Sequence, residues 1–186
     1  MPELFETERL IVRRFESKDA ADMAEFAGHP SVADEILDIP WQDPAKLLEY
    51  IEMQQGLELF AAKKCVELAI ERKSDRKVIG LLTFVSNGQQ QGEIGWALGV
   101  EHRGCGYAAE AVRGLLSFVF GTCGYHRVFA GTILTNERSW QLMERVGMRK
   151  EAHFREAHVP AEPGGPWIDS VRYAVLASEW PAHSAH

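Results

Sequence analysis

Apolar residues recur along the chain with two alternating periods. Thr7 to Phe15 alternates, with Leu10 and Val12 set between charged residues, which predicts a first strand. Ala20, Met23, Ala24, Phe26 and Ala27 follow at helical spacing, behind Ser17 as a cap and ahead of a stop at Gly28-His29-Pro30. Ser31 to Trp41 is irregular, and Trp41 beside Pro40 is expected to cover the core. Asp43-Pro44 opens another helix with Pro44 in its first position and Leu47, Leu48 and Ile51 on its buried face. Phe60 to Glu71 and Lys77 to Val85 read as strands of an antiparallel hairpin turning at Ser74-Asp75-Arg76. A second turn at Ser86-Asn87-Gly88 leads to a strand from Gly92 to Val100.

The second half keeps the alternation. A glycine turn, Arg103-Gly104-Cys105-Gly106-Tyr107-Ala108, leads into a helix from Gly106 to Gly121, with Val112, Leu115, Leu116, Val119 and Phe120 on one face. A strand at Arg127 to Leu134 comes next, then a short helix from Glu137 to Val146, capped by Asn136 and stopped at Gly147. Met148 to Val159 and Trp167 to Ala177 read as strands on either side of a proline- and glycine-rich loop, Pro160 to Pro166. With no repeat, linker or low-complexity stretch, the chain is expected to form one mixed α/β (α+β) domain over residues 1–180. Residues 181–186 read as a loose tail, and His183 and His186 as part of a frayed end.

Composition narrows the function. At 186 residues, 46% hydrophobic and 25% charged, the chain suits one core rather than disorder. A net charge of −7 with scattered basic residues argues against a nucleic-acid surface and favours cationic or neutral substrates. Three cysteines, Cys65, Cys105 and Cys123, lack metal spacing and fit a reducing compartment. No apolar run approaches the roughly 20 residues of a membrane helix, and Met1 to Arg14 is charged throughout, so a soluble, cytoplasmic chain is expected.

The glycine turn carries the chemistry. Glycines let a backbone approach an anion closely, and the first N–H groups of a helix point at it, so strand, turn and helix make a phosphate cradle to which Arg103 can add a charge-assisted bond. The same residues also serve as a plain tight turn, and the glycines alone leave both readings open. Gly104 to Ala109 also fits the dinucleotide pattern G-x-G-x-x-G/A. That fold needs its glycines after the first strand and an acid roughly 20 residues on. Here several strands come first and the next strand ends in Leu134-Thr135-Asn136, so the dinucleotide reading is rejected.

Taken together, the chain resembles the GCN5-related N-acetyltransferases, the GNAT family. Arg103, Gly106 and Ala108 match its acetyl-CoA motif, Gln/Arg-x-x-Gly-x-Gly/Ala. Glu93-Ile94-Gly95-Trp96, Asn136-Glu137-Arg138-Ser139 and Met143 to Met148 are similar to the Rim-type branch, which acetylates ribosomal-protein N-termini. Thr7-Glu8-Arg9-Leu10, Asp169, Tyr173 and Glu179-Trp180 fit it too. The resemblance implies a mixed, mostly antiparallel sheet of about six or seven strands flanked by helices. It also implies acetyl-CoA as co-substrate, held by Leu98, Gly99, Val100, Arg103, Gly104, Cys105, Gly106, Tyr107, Ala108, Asn136 and Ser139.

The implied reaction is direct attack of a primary amine on the thioester, with both substrates bound. Glu93 is the expected base, directly or through water, on a strand face left open by Gly95, Ala97 and Gly99; an ordinary strand-end glutamate is the other reading. The resemblance implies that this strand splays near Leu98 to Val100, offers a backbone N–H to the oxyanion and bulges at Gly99. It places Ser139 near the CoA sulfur, where many members carry a tyrosine at the position of Met143. Asn136 and Ser139 also suit plain capping. Cys105 reads as a bystander and His126, His153 and His158 as structural, with His158 and Pro163-Gly164-Gly165 bordering the acceptor cleft; no metal is expected. The acceptor is a protein N-terminus, an amino acid or a small amine, with neither nucleic acid nor membrane as partner, on a monomer or homodimer. The alternatives are a CoA-binding sensor without catalysis and a transferase for another acyl-CoA.

Overall fold

A computed structural model describes residues 3–33, 39–40, 42–60, 63–159 and 164–181. Trp41, most of the Pro160–Pro166 loop and the histidines of the tail lie outside the described residues.

Eight strands form one continuous sheet: β1 (Glu3–Glu6), β2 (Leu10–Arg14), β3 (Cys65–Arg72), β4 (Val78–Gly88), β5 (Gln91–Leu98), β6 (Arg127–Ile133), β7 (Arg149–His158) and β8 (Ile168–Leu176). Their spatial order is β1-β2-β3-β4-β5-β6-β8-β7. This exceeds the expected six or seven because the opening segment is a hairpin. Thr7, at the foot of the expected first strand, instead turns the chain, its N–H donating to Leu10 O at 2.9 Å.

Every neighbouring pair is antiparallel except β5 and β6, which run parallel over three rungs only: Gln91/Arg127, Gly92/Val128 and Glu93/Phe129. Beyond Glu93, β5 stays with β4 as far as Leu98, and β6 stays with β8 as far as Ile133. The two halves of the sheet therefore part into a V whose apex is the Glu93/Phe129 rung.

Two helical layers cover the sheet. On one face, α4 (Tyr107–Gly121) buries Val112, Leu115, Leu116 and Val119 against Leu68, Leu82, Phe84 and Ile94, and α5 (Glu137–Arg145) adds Leu142 and Met143 beside Tyr173. On the other, α1 (Ala20–Ala27) and α3 (Pro44–Gly56) set Met23, Phe26, Leu47 and Ile51 on Ala69, Leu81 and Ala97. Each fully buried aliphatic side chain contributes about 1.5–3 kcal/mol. A one-turn helix, α2 (Pro30–Ala33), follows the stop at Gly28.

Several boundaries differ from the sequence reading. Ser17 does not cap α1; it begins a 3-10 turn, Ser17–Asp19, that precedes the helix. Asp19 fixes this turn, accepting from Glu16 N–H at 2.7 Å and from both terminal nitrogens of buried Arg13 at 2.6 and 2.9 Å. The β4–β5 turn falls at Gln89-Gln90, both at positive φ, rather than at Ser86-Asn87-Gly88, because Gln91 is drawn into the sheet by Arg127 on β6. Strand β3 starts at Cys65 rather than Phe60, whose backbone turns at φ 61° and whose ring packs edge-on to Phe84. Among the described residues, no helix is long and apolar enough to cross a membrane.

Candidate functional site

Strand β5 ends at Leu98, and Val100–His102 forms a 3-10 turn into the glycine segment. Gly99 N–H donates to Ile79 O at 3.0 Å. Antiparallel ladders alternate, so the N–H of Leu98, one residue earlier, points away from β4 into the V. The β4–β5 register runs unshifted from Gly80/Leu98 to Ser86/Gly92, so the bulge expected at Gly99 is absent and the register shift lies at Ser86/Gly88. Gly99 sits close against α1 instead: a Cβ there would sit 3.2 Å from Phe26 Cβ.

Arg103 draws the end of β5 towards the glycine turn. Its Nε donates to Leu98 O at 3.1 Å and Nη2 to Ser31 O at 3.4 Å. The turn itself needs glycine, with Gly104 at φ 79° and Gly106 at φ 85°. Gly106 is the N-cap of α4 and no side chain caps that helix, whereas Asp43 caps α3 and Asn136 caps α5. The first N–H groups of a helix have no partner within it. At α4 they follow directly on the turn from β5, and the helix dipole places partial positive charge there.

Arg9, on the β1–β2 turn, braces this cradle from behind. It donates to Glu110 Oε2 at 2.7 Å and to Cys105 O at 3.1 Å, and its guanidinium lies 4.5 Å over the Tyr107 ring. Hydrogen bonding to Glu110 raises the pKa of Arg9 further. The sequence reading missed this brace because its partners lie a hundred positions apart. A cavity of about 1050 Å³ runs behind the cradle along α4, lined by Thr7, Arg9, Gly106, Glu110, Arg113 and Arg145 among others. Cys105 is exposed and its thiol faces only Arg103 O, at 3.7 Å, among the described residues.

Glu93 stands at the apex, half-buried, on the face away from α4, with no hydrogen bond or ion pair among the described residues. Of the three small residues expected to keep that face open, none leaves clear space: a Cβ on Gly95 would sit 2.6 Å from Thr83 Oγ1. Ala97 is buried in the layer beneath α1, and Gly99 lies against Phe26. Next to Gly95 in the cross-strand row come Thr83 and then buried Glu67, to which the Tyr50 phenol of α3 is hydrogen-bonded. Burial is the larger cause, and Glu67 a further one, of the raised Tyr50 pKa.

On α5, Asn136 Oδ1 accepts the backbone N–H of Ser139 at 3.3 Å, while the Ser139 hydroxyl has no partner among the described residues. Met143 is 1% exposed and belongs to the core. The four tyrosines are engaged elsewhere: Tyr50 with Gln54 at 3.3 Å, Tyr107 beneath the Arg9 guanidinium, Tyr125 with Phe60 O at 3.4 Å, and Tyr173 with Glu144 at 2.8 Å. Burial and Glu144 push the Tyr173 phenol up to about 12. Ser139 is thus the hydroxyl left without a partner on the helix beside the V. Of His126, His153 and His158, the second pairs with Asp169 at 2.6 Å, and no group of three or more potential metal ligands forms among the described residues.

A parallel pair that parts after three rungs, joined by a glycine turn to an uncapped helix, defines an acyl-CoA-dependent N-acetyltransferase. The chain belongs to the GNAT acetyltransferases: the family description "Acetyltransferase (GNAT) domain" matches residues 9–149. Among relatives, it is 29% identical to the uncharacterized N-acetyltransferase YnaD of Bacillus subtilis, over 94% of this chain and 97% of that one. It is 24% identical to the ribosomal protein uS5-alanine N-acetyltransferase of Escherichia coli, over 94% and 91%. A solved GNAT-family acetyltransferase from Bacillus anthracis superposes with TM-score 0.77 at 26% identity, covering 94% of this chain and 98% of the other.

Proposed function

We propose that the chain moves an acetyl group from acetyl-CoA to a primary amine by direct attack at the apex of the V. The observation that carries this reading is the Glu93/Phe129 rung, which puts an unpartnered carboxylate where the two half-sheets separate. Three backbone and side-chain groups converge on that opening. The uncapped first turn of α4, with Gly104 to Ala108, suits the pyrophosphate of CoA. Leu98 N–H, directed into the V, suits the oxyanion of the tetrahedral intermediate, the role the Gly99 N–H cannot take while bonded to Ile79. Ser139 and Asn136 border the opening from α5, where the hydroxyl can hydrogen-bond the departing thiolate.

Glu93 takes the proton released as the amine attacks, directly or through one water. The thiolate is a tolerable leaving group near neutral pH, so the weak donor Ser139 suffices without a tyrosine. Cys105 has no part in this scheme, since neither a base nor an acid faces its thiol among the described residues. The ribosomal-protein specificity named for the E. coli relative supports a protein N-terminus as one acceptor class, and small amines form the other.

The test combines a thermal-shift assay with an acceptor screen that reads free CoA release. CoA should raise the melting temperature, because a ligand bound only by the folded state stabilises it, and at least one amine should be acetylated. Stabilisation by NAD but not by CoA would sink the family-based reading of the cradle. Stabilisation by CoA with no turnover on any amine would leave a CoA sensor.

A further inference from the structure

The V has a second charged wall. Arg172 of β8 pairs with Gly131 of β6, two residues beyond Phe129, and so stands on the same sheet face as Glu93. Its guanidinium lies 5.0 Å from the Phe129 ring and 5.6 Å from the Phe154 ring of β7. Phe129 is also stacked by Arg127, at 5.2 Å, but Arg127 is neutralised by Glu151, which Arg149 contacts as well. Arg172 is exposed, and among the described residues no carboxylate pairs with it.

Phe129 and Phe154 both lie within cation–π distance of the guanidinium and limit where it can go. Its fork of N–H donors has no acceptor among the described residues and is available to a planar anion. Glu93 and Arg172 are two strand spacings apart and offset by two residues along the strands, about 12 Å between their backbone positions, with β6 between them. The open face thus carries a carboxylate on one side and an unpaired cation on the other.

We infer that Arg172 is a specificity residue that binds a carboxylate carried by the amine acceptor, a few bonds from the reacting nitrogen. This rests on the acetyltransferase reading above. It reverses the expectation drawn from the net charge of −7, because the local field at the cleft differs from the average. The carboxylate belongs either to a small amino acid or to an acidic side chain next to a peptide N-terminus, and both present the same planar anion.

The test uses matched acceptors: 4-aminobutyrate, its amide and 1,4-diaminobutane, beside the dipeptide amides Ala-Glu and Ala-Gln, each with acetyl-CoA and with succinyl-CoA. The wild-type enzyme should favour the carboxylate member of one series, and which series responds identifies the source. Arg172→Gln should raise KM for that acceptor by about 10- to 100-fold, the worth of a charge-assisted pair. Its kcat, its KM for acetyl-CoA and its activity on the neutral partner should stay unchanged, and Arg172→Lys should restore part of the loss. Equal effects of Arg172→Gln on charged and neutral acceptors, or none, would overturn the assignment while leaving acetyl transfer intact. Dependence on succinyl-CoA rather than on acceptor charge would move the carboxylate to the acyl group and overturn it too. No turnover with any amine would remove the acetyltransferase reading and this inference with it.

Discussion

Glu93 and Phe129 face each other on the last rung that β5 and β6 share. Beyond this rung β6 pairs with β8 alone, so the later N–H groups that β5 turns away from β4 are directed into the V. The position is therefore both the end of a ladder and the start of a cleft, and the side chain there meets whatever enters. For Glu93→Gln, turnover should fall by roughly 10²–10⁴-fold, the usual worth of a positioned base. Affinity for acetyl-CoA should hardly move, and the deficit should shrink at high pH, where more amine is already neutral. A pH–rate profile identical to wild type would remove Glu93 from the mechanism.

Ser139→Ala isolates the leaving-group step. The cap bond at α5 uses the Ser139 backbone N–H and the Asn136 carboxamide, so alanine keeps it. The melting temperature should stay put while turnover falls less than for Glu93→Gln. Asn136→Ala should instead lower stability by about 1 kcal/mol, the cost of a lost cap. A Ser139→Ala enzyme as active as wild type would exclude the hydroxyl as the group serving the thiolate.

Gly106→Val addresses the cradle. The residue sits at φ 85°, and a Cβ there would lie 3.4 Å from Arg9 Nη2. A left-handed β-branched residue costs at least about 1–2 kcal/mol, which α4, held by its buried face, should survive. The CoA-induced rise in melting temperature should vanish. An unchanged rise would place the pyrophosphate elsewhere.

Arg13 is 3% exposed and joins Asp19 to Glu71, whose carboxylate accepts its Nε at 2.6 Å. Replacing Arg13 with methionine leaves buried Asp19 without its cation and Glu71 with Arg76 alone, at 2.6 Å. Denaturant unfolding should show a loss of about 3–5 kcal/mol, the penalty for breaking a buried pair from one side. A loss below about 1 kcal/mol would mean that water reaches the carboxylates.

His102 contributes to acid sensitivity. It is 7% exposed, between Arg72 at 3.4 Å from Nδ1 and Glu101 at 3.4 Å from Nε2. Burial is the largest cause lowering its pKa; Arg72 lowers it further and Glu101 opposes. The unfolded chain therefore takes up the proton first as pH falls. Stability from this group is whole above about 6.5 and declines as pH drops from there toward the lower native value. His102→Gln should flatten the fall of melting temperature below about pH 6.5. A slope equal to wild type would assign the acid loss to other groups.

Much of this molecule was legible in one dimension because its determinants are local. Helical periodicity placed α4, and the buried face came out as Val112, Leu115, Leu116 and Val119. The cap at Asn136 and the proline start of α3 were readable because capping bonds span three residues. The glycine turn was readable because a positive φ in a bulky chain is costly. What the tertiary structure alone decided are relations between distant strands. Alternation along β5 shows which residues share a face, yet the commitment of the Gly99 N–H to Ile79, and the turning of Leu98 into the V, depend on the β4 register. Likewise Thr83 fills the space over Gly95 while α1 covers Ala97, and Arg172 shares a sheet face with Glu93 because β8 inserts between β6 and β7. Strand order is set by which apolar faces pack together across the whole sheet, and no window of neighbouring residues contains that information.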